Sequence, residues 1–290
     1  MGGVKYVETE RTYDADVDIT DGGRPVKAGR RVLVPLNGSQ SLLLLGETMN
    51  VSRKTKGFTL VELLVVIGVL TVLVSMLLPA LQKARASANA VACMSNLRTL
   101  GTATQMYHQI NKGRAWIDNA HKEWWLTILK PYYVNKNVLI CPTADQNYLL
   151  IPDGVGTAFT CWGPSTLPGN WLANNRGSYT FNLWASSPKS APSNNTAQSI
   201  KFPNPRNADT IPLFSDGSWV NAWPSSGDTP PTSLILGDTN GPQMSRVCIA
   251  RHGKAVNVVF ADYHVERVPL PGLWRLKWSA LFVPRNVLIP

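Results

Sequence analysis

The chain is 290 residues long and 44% hydrophobic but only 16% charged, with 28 Lys and Arg against 18 Asp and Glu for a net charge of +10 at pH 7. Soluble domains usually carry about 25% charged residues, and the shortfall here is concentrated in one apolar block at residues 58–78. Ten Trp residues and aromatics spread through the second half exclude global disorder. Aperiodic Gly and Pro exclude a collagen, unsustained heptads exclude a coiled-coil rod, and a single membrane-length segment excludes a polytopic transporter.

Residues 1–57 are expected to be a leader. Asp14, Asp16, Asp18 and Asp21 lie in a polar stretch, and Leu42 to Leu45 is too short to span a bilayer. Met49 begins a short segment, basic and free of acids, that runs directly into the apolar block. Translation is therefore expected to start at Met49, with residues 1–48 an upstream artefact; a long cleaved leader is the alternative. Residues 1–57 carry nine Lys and Arg against seven Asp and Glu, so most of the positive charge belongs to the remainder. A basic surface suits nucleic acid, anionic polysaccharide or lipid headgroups. No basic run exceeds three residues, which argues against nucleic acid.

Residues 58–78 read FTLVELLVVIGVLTVLVSMLL. At about 1.5 Å per residue such a helix reaches roughly 30 Å, enough to cross a hydrocarbon core. Arg53, Lys54 and Lys56 flank its start, so the positive-inside rule keeps that end cytoplasmic and the C-terminal bulk outside. Glu62 is the one charge within the block. A carboxylate there is costly unless it has a partner, a function or access to the headgroups. Beyond Pro79, residues 81, 84, 88, 91, 94, 97, 100, 104 and 107 form one apolar stripe at helical spacing. A single helix over 58–112 is expected, about 80 Å long and kinked at Pro79, with Lys112-Gly113 as its stop.

After Gly113 short apolar runs alternate with Pro, Gly, Ser and Asn clusters. Strands are expected at 138–140, 178–183, 211–214, 234–236, 255–260, 264–268 and 276–283, with a short helix over 124–133 ended by Pro131. Loops are expected over 152–177, 186–198 and 221–243. The predicted fold class is α+β: the amphipathic half of the long helix packed on an antiparallel sheet in an extracytoplasmic head, 113–290.

The run Lys56-Gly57-Phe58-Thr59-Leu60-Val61-Glu62 strongly resembles the prepilin cleavage and methylation signal of type IV pilins and type II secretion pseudopilins. The resemblance implies that a membrane prepilin peptidase cuts between Gly57 and Phe58 and N-methylates Phe58. It also implies that Glu62 pairs with the new α-amino group of a neighbouring subunit, that Pro79 is the family's helix-kinking proline, and that the partners are other pilin or pseudopilin subunits and inner-membrane lipid. Near the other end, the segment from Arg251 to Val265 resembles the C-terminal motif of a pilin-like family named for His, nine residues, then Asp-Gly. His252 and Asp262 match, but Tyr263 stands where Gly is expected. Asp-Gly favours a tight hairpin with positive φ, and Tyr makes that turn less comfortable. The segments Cys93-Met94-Ser95-Asn96-Leu97-Arg98 and Cys141-Pro142 resemble recurrent segments of the same family.

Several residues invite chemistry. Outside the cytoplasm Cys93, Cys141, Cys161 and Cys248 are candidates for one or two disulfides, with buried thiols the alternative. No C-x-x-C occurs, which argues against a zinc ribbon or redox site. His108 and His121 carry no motif. His252, Asp262 and His264 are candidates to meet at a hairpin and hold a metal; a turn-capping Asp and a structural His fit the same pattern. Calcium enters through the resemblance alone, with Asp216, Asp228 and Asp238 in Gly- and Pro-rich loops that lack an EF-hand pattern. No nucleophile elbow, H-E-x-x-H, phosphate loop or dinucleotide fingerprint occurs, so neither an enzyme nor a bound cofactor is expected. Trp162, Trp171, Trp184, Trp219 and Trp223 are either core or a platform for sugars. The leading expectation is a structural subunit of a pilus or secretion pseudopilus. The alternative is a membrane-anchored module that binds carbohydrate or DNA through basic, Trp-rich loops.

Overall fold

In a computed structural model Phe58–Pro290 forms one compact unit. The structure describes residues 58–116, 124–144, 154–163, 175–236 and 241–289, with only the backbone at Ser193. Gly57, His121, Trp171 and Asp238 lie outside the described residues, as does the rest of the predicted leader.

Helix α1 (Leu60–Ile110) is continuous over 51 residues, about 77 Å. Thr59 is its N-cap, and Pro79 lies inside the helix, which continues through it. Lys112 and Gly113 take positive φ, 54° and 74°, so the predicted stop is real. The buried face of α1 is Cys93, Leu97, Leu100, Gly101, Ala103, Thr104 and His108. The predicted stripe is therefore correct only in its second half, since Leu81 and Val91 are exposed. Periodicity identifies an apolar face but not where a partner surface begins.

Helix α2 (Trp125–Leu129) runs into a 3-10 turn, Lys130–Tyr132, that places Pro131 early in the turn where its missing N–H is tolerated. A five-stranded mixed sheet follows: β1 (Tyr179–Asn182), β2 (Pro212–Asp216), β3 (Asn221–Ala222), β4 (Ala255–Phe260) and β5 (Val265–Pro269). The order is β3-β1-β2-β4-β5. Pairs β1–β2, β2–β4 and β4–β5 are antiparallel, with a register irregularity between Pro212 and Phe214. The β1–β3 pair is parallel, which corrects the expectation of a purely antiparallel sheet. Two residues are too few to leave a period-2 signal in sequence.

The fold class is nonetheless α+β, with α1 packed on the sheet. Strand β4 is buried along its whole length because the sheet is covered on both faces. Val259 joins the core under α1 with Leu97, Leu100, Phe181 and Phe214. Val256, Val258 and Phe260 face a second core with Met244, Leu270, Leu273, Trp274 and Trp278. Three predicted strands are absent. Residues 138–140 overlap a 3-10 turn, Lys136–Leu139; Leu236 makes only an isolated bridge to Thr157; and 276–283 follows another 3-10 helix, Leu270–Arg275, without joining the sheet. Val138 and Leu139 join the core under α1, and Leu276, Trp278 and Phe282 pack on the second core, all outside the sheet, while Leu236, Leu281 and Val283 are exposed.

The assembly helix and a buried Cys–His–Asp cluster

The N-terminal part of α1, up to Leu81, has no packing partner among the described residues. From Phe58 to Leu81 the large apolar side chains are between 47% and 78% exposed on every side of the helix. The hydroxyls in this stretch satisfy themselves: Thr71 donates to Gly68 O at 2.8 Å and Ser75 to Val72 O at 2.7 Å. A helix apolar all round is stable only inside lipid or other protein. Glu62 closes a capping box at its start. Its Oε2 accepts the Thr59 N–H and hydroxyl, both at 2.9 Å, while Thr59 Oγ1 accepts the Glu62 N–H at 3.2 Å. The carboxylate also lies at the positive end of the helix dipole.

A second cluster forms where α1 meets the sheet. Cys93 from α1, Cys141 from the turn after Lys136–Leu139, Asp216 from the end of β2 and His252 from the approach to β4 bring one ligand atom each to within 4.8 Å of one another, and all four are buried. Cys93 Sγ is 3.2 Å from Asp216 Oδ1. His252 Nε2 is 3.4 Å from Cys141 Sγ and 3.3 Å from Asp216 Oδ2.

Outer contacts fix these groups. The Tyr179 hydroxyl donates to Cys93 Sγ at 3.4 Å, and the Asn257 N–H to Asp216 Oδ2 at 2.8 Å. Arg251 Nη1 is 3.5 Å from Asp216 Oδ1 and also donates to Ser178 O. Burial works to raise the Asp216 carboxyl, but His252, Arg251 and the Asn257 N–H hold it below the usual range. Burial works to lower His252, yet its contacts with Asp216 and Cys141 raise it to about 9. Burial raises Cys93 well above an ordinary thiol. Cys141 is lowered despite burial, by its contacts with Cys93 and His252 and by the Arg251 charge.

The structure regroups the residues singled out from sequence. It does not bring His252, Asp262 and His264 together, because His252 precedes the six-residue β4 and the other two follow it, roughly 20 Å along the strand. Asp262 and His264 pair at the exposed turn, Oδ1 to Nδ1 at 2.6 Å, and His264 stacks on Phe260. The four cysteines form no disulfide: Cys93 and Cys141 share the cluster, while Cys161 and Cys248 are buried elsewhere. Among the described residues, Asp216 and Asp228 do not assemble either. Asp216 is in the cluster, and Asp228 ties its own loop by accepting from Ser225 and from the Met244 N–H. Trp162 and Trp184 are buried, with indole N–H groups donated to Tyr179 O and Pro224 O, and Trp219 and Trp223 pack against the core. Among the described residues, the Trp side chains are core rather than a binding platform. Each cluster member drew notice in sequence, but in the wrong company: they are separated by up to 159 residues (93 to 252), and no spacing motif joins them.

Helix α1 is long and apolar enough to cross a membrane, carries an acid at its N-terminal end and holds a head on its far half, which fits a membrane-anchored subunit. Residues 52–78 match the family model of the prokaryotic N-terminal methylation motif, the signature of the prepilin-type signals of type IV pilins and pseudopilins. Such a signal implies processing by prepilin peptidase and assembly with other pilins in general. No curated protein and no solved structure matches the chain.

Proposed function

We propose that the chain is a prepilin-like structural subunit, cleaved between Gly57 and Phe58, N-methylated on Phe58, and packed through α1 into a type IV pilus or type II secretion pseudopilus. The observation that carries this reading is a coincidence of position. The methylation motif at 52–78 overlies the stretch of α1 whose apolar surface is exposed on every side. Before assembly that surface lies in the inner membrane as a single pass, with Arg53, Lys54 and Lys56 cytoplasmic and the head outside. After assembly neighbouring helices replace lipid. Glu62 then meets the α-amino group of an adjacent subunit, a pair in which each charge offsets part of the other's desolvation cost. The head carries any recognition, and the subunit is a building element rather than an enzyme.

The alternative, a sugar- or DNA-binding module on Trp-rich loops, draws no support from the buried tryptophans. Mass spectrometry of the N-terminus of membrane-fraction protein tests the proposal. N-methyl-Phe58 is the expected first residue. A retained leader or cleavage near Ala80 would overturn it.

A further inference from the structure

We propose that Cys93, Cys141, Asp216 and His252 form a structural zinc-class metal site that fastens the assembly helix to the sheet. The donor set, two thiolates, one imidazole and one carboxylate, is one that zinc accepts. In a tetrahedral site with zinc–ligand bonds of about 2.0–2.3 Å, neighbouring ligand atoms lie about 3.3–3.8 Å apart. The His252–Asp216 Oδ2 and His252–Cys141 distances of 3.3 and 3.4 Å fall in that range, Cys93 to Asp216 Oδ1 at 3.2 Å is just below it, and all four ligand atoms lie within 4.8 Å of one another, so the set needs only a small inward adjustment around an ion.

Charge also closes. Two thiolates and a carboxylate carry three negative charges, which a divalent ion and the Arg251 guanidinium together neutralise. Arg251, fixed by Ser178 O and by Gly217 O at 3.1 Å, is buried beside Asp216. Arg251 and His252 already pair with Asp216 in this interior, and an ion would add a partner for the two buried thiol sulfurs.

The surroundings suit a permanent ion. All four ligand positions belong to protein, which marks a structural rather than a catalytic site. Tyr179 and the Asn257 N–H supply the outer contacts that orient first ligands. A cleft beside α1, lined by Ala90, Met94, Thr143, His252 and Arg267, gives the ion a route in. The ligands come from four segments, Cys93 alone from α1, so one ion joins the helix to three parts of the head. A subunit pulled from a bilayer by its helix transmits force through that junction.

The test uses the full chain, extracted in detergent under reducing, chelator-free conditions, with metal measured by inductively coupled plasma mass spectrometry. About one zinc per chain is expected, and cobalt substitution should give a thiolate-to-metal charge-transfer band and tetrahedral d–d transitions. Cys93→Ser and His252→Ala should each lose the metal. Cys248→Ser, buried outside the cluster, should keep it. Tyr179→Phe should weaken zinc binding about 10- to 100-fold, as loss of an outer contact does. If the cluster variants fail to fold, the wild-type metal content and cobalt spectrum still decide. The proposal falls if wild-type protein holds no transition metal as purified and after zinc dialysis, if Cys93 and Cys141 are found as a disulfide lacking two hydrogens in a parallel extract alkylated without reductant, or if a cluster variant retains full zinc.

Discussion

Removing one hydroxyl at the β4–β5 turn tests how α1 is held against the head. Tyr263 Oη lies 2.9 Å from His108 Nδ1, joining the last turns of the helix to the hairpin. His108 is only 7% exposed, and its Nε2 has no hydrogen-bond partner among the described residues. Tyr263→Phe keeps the ring and deletes the contact, leaving a buried imidazole with neither nitrogen satisfied. That costs about 1–3 kcal/mol, or about 2–4 °C in Tm for each kcal/mol in a unit of 150–250 residues.

The imidazole gives a second readout. Burial lowers the His108 pKa to about 4, whereas an unfolded histidine titrates near about 6.5. Between those values the unfolded chain binds the extra proton, so this contribution is complete above pH about 6.5 and is lost as pH falls towards 4. Thermal unfolding of detergent-solubilised full chain, followed by tryptophan fluorescence across pH 4–7.5, measures both effects. Tyr263→Phe should lower Tm at every pH, and His108→Phe should flatten the slope in the acid window. An unchanged Tm in the first variant, or an unchanged slope in the second, would refute the reasoning.

Three further outcomes follow from the geometry. Glu62→Ala should leave N-terminal processing detectable by mass spectrometry but strongly reduce filament incorporation measured by shearing and immunoblot, whereas Gly57→Leu should block processing itself. Leu100→Ala, at a fully buried position under the sheet, should cost about 3–5 kcal/mol by denaturant unfolding. Gly101→Leu should also destabilise, because even a Cβ there would approach Val259 Cγ2 to 2.9 Å; combining it with Val259→Ala should recover part of the loss.

The hairpin shows how sequence and structure divide the information. The Asp-Gly-like motif implied a turn with positive φ, and the turn is present, with Tyr263 at φ 71°. A side chain there costs about 1–2 kcal/mol relative to glycine. Its hydroxyl contact with His108 and its packing against the core offset that cost, and neither is visible from the neighbouring residues.

Local chemistry determined the long helix, its membrane-length apolar segment, the methylation motif and the extent of β4, because each depends on residues within a few turns or one strand of one another. Only the tertiary structure decided where α1 stops being naked and starts being core, that β3 joins β1 in parallel, and that Cys93, Cys141, Asp216 and His252 share one buried volume. Those outcomes depend on segments from 40 (181 to 221) to 159 (93 to 252) residues apart competing for the same faces of a small sheet, and side-chain spacing along the chain carries no record of that competition.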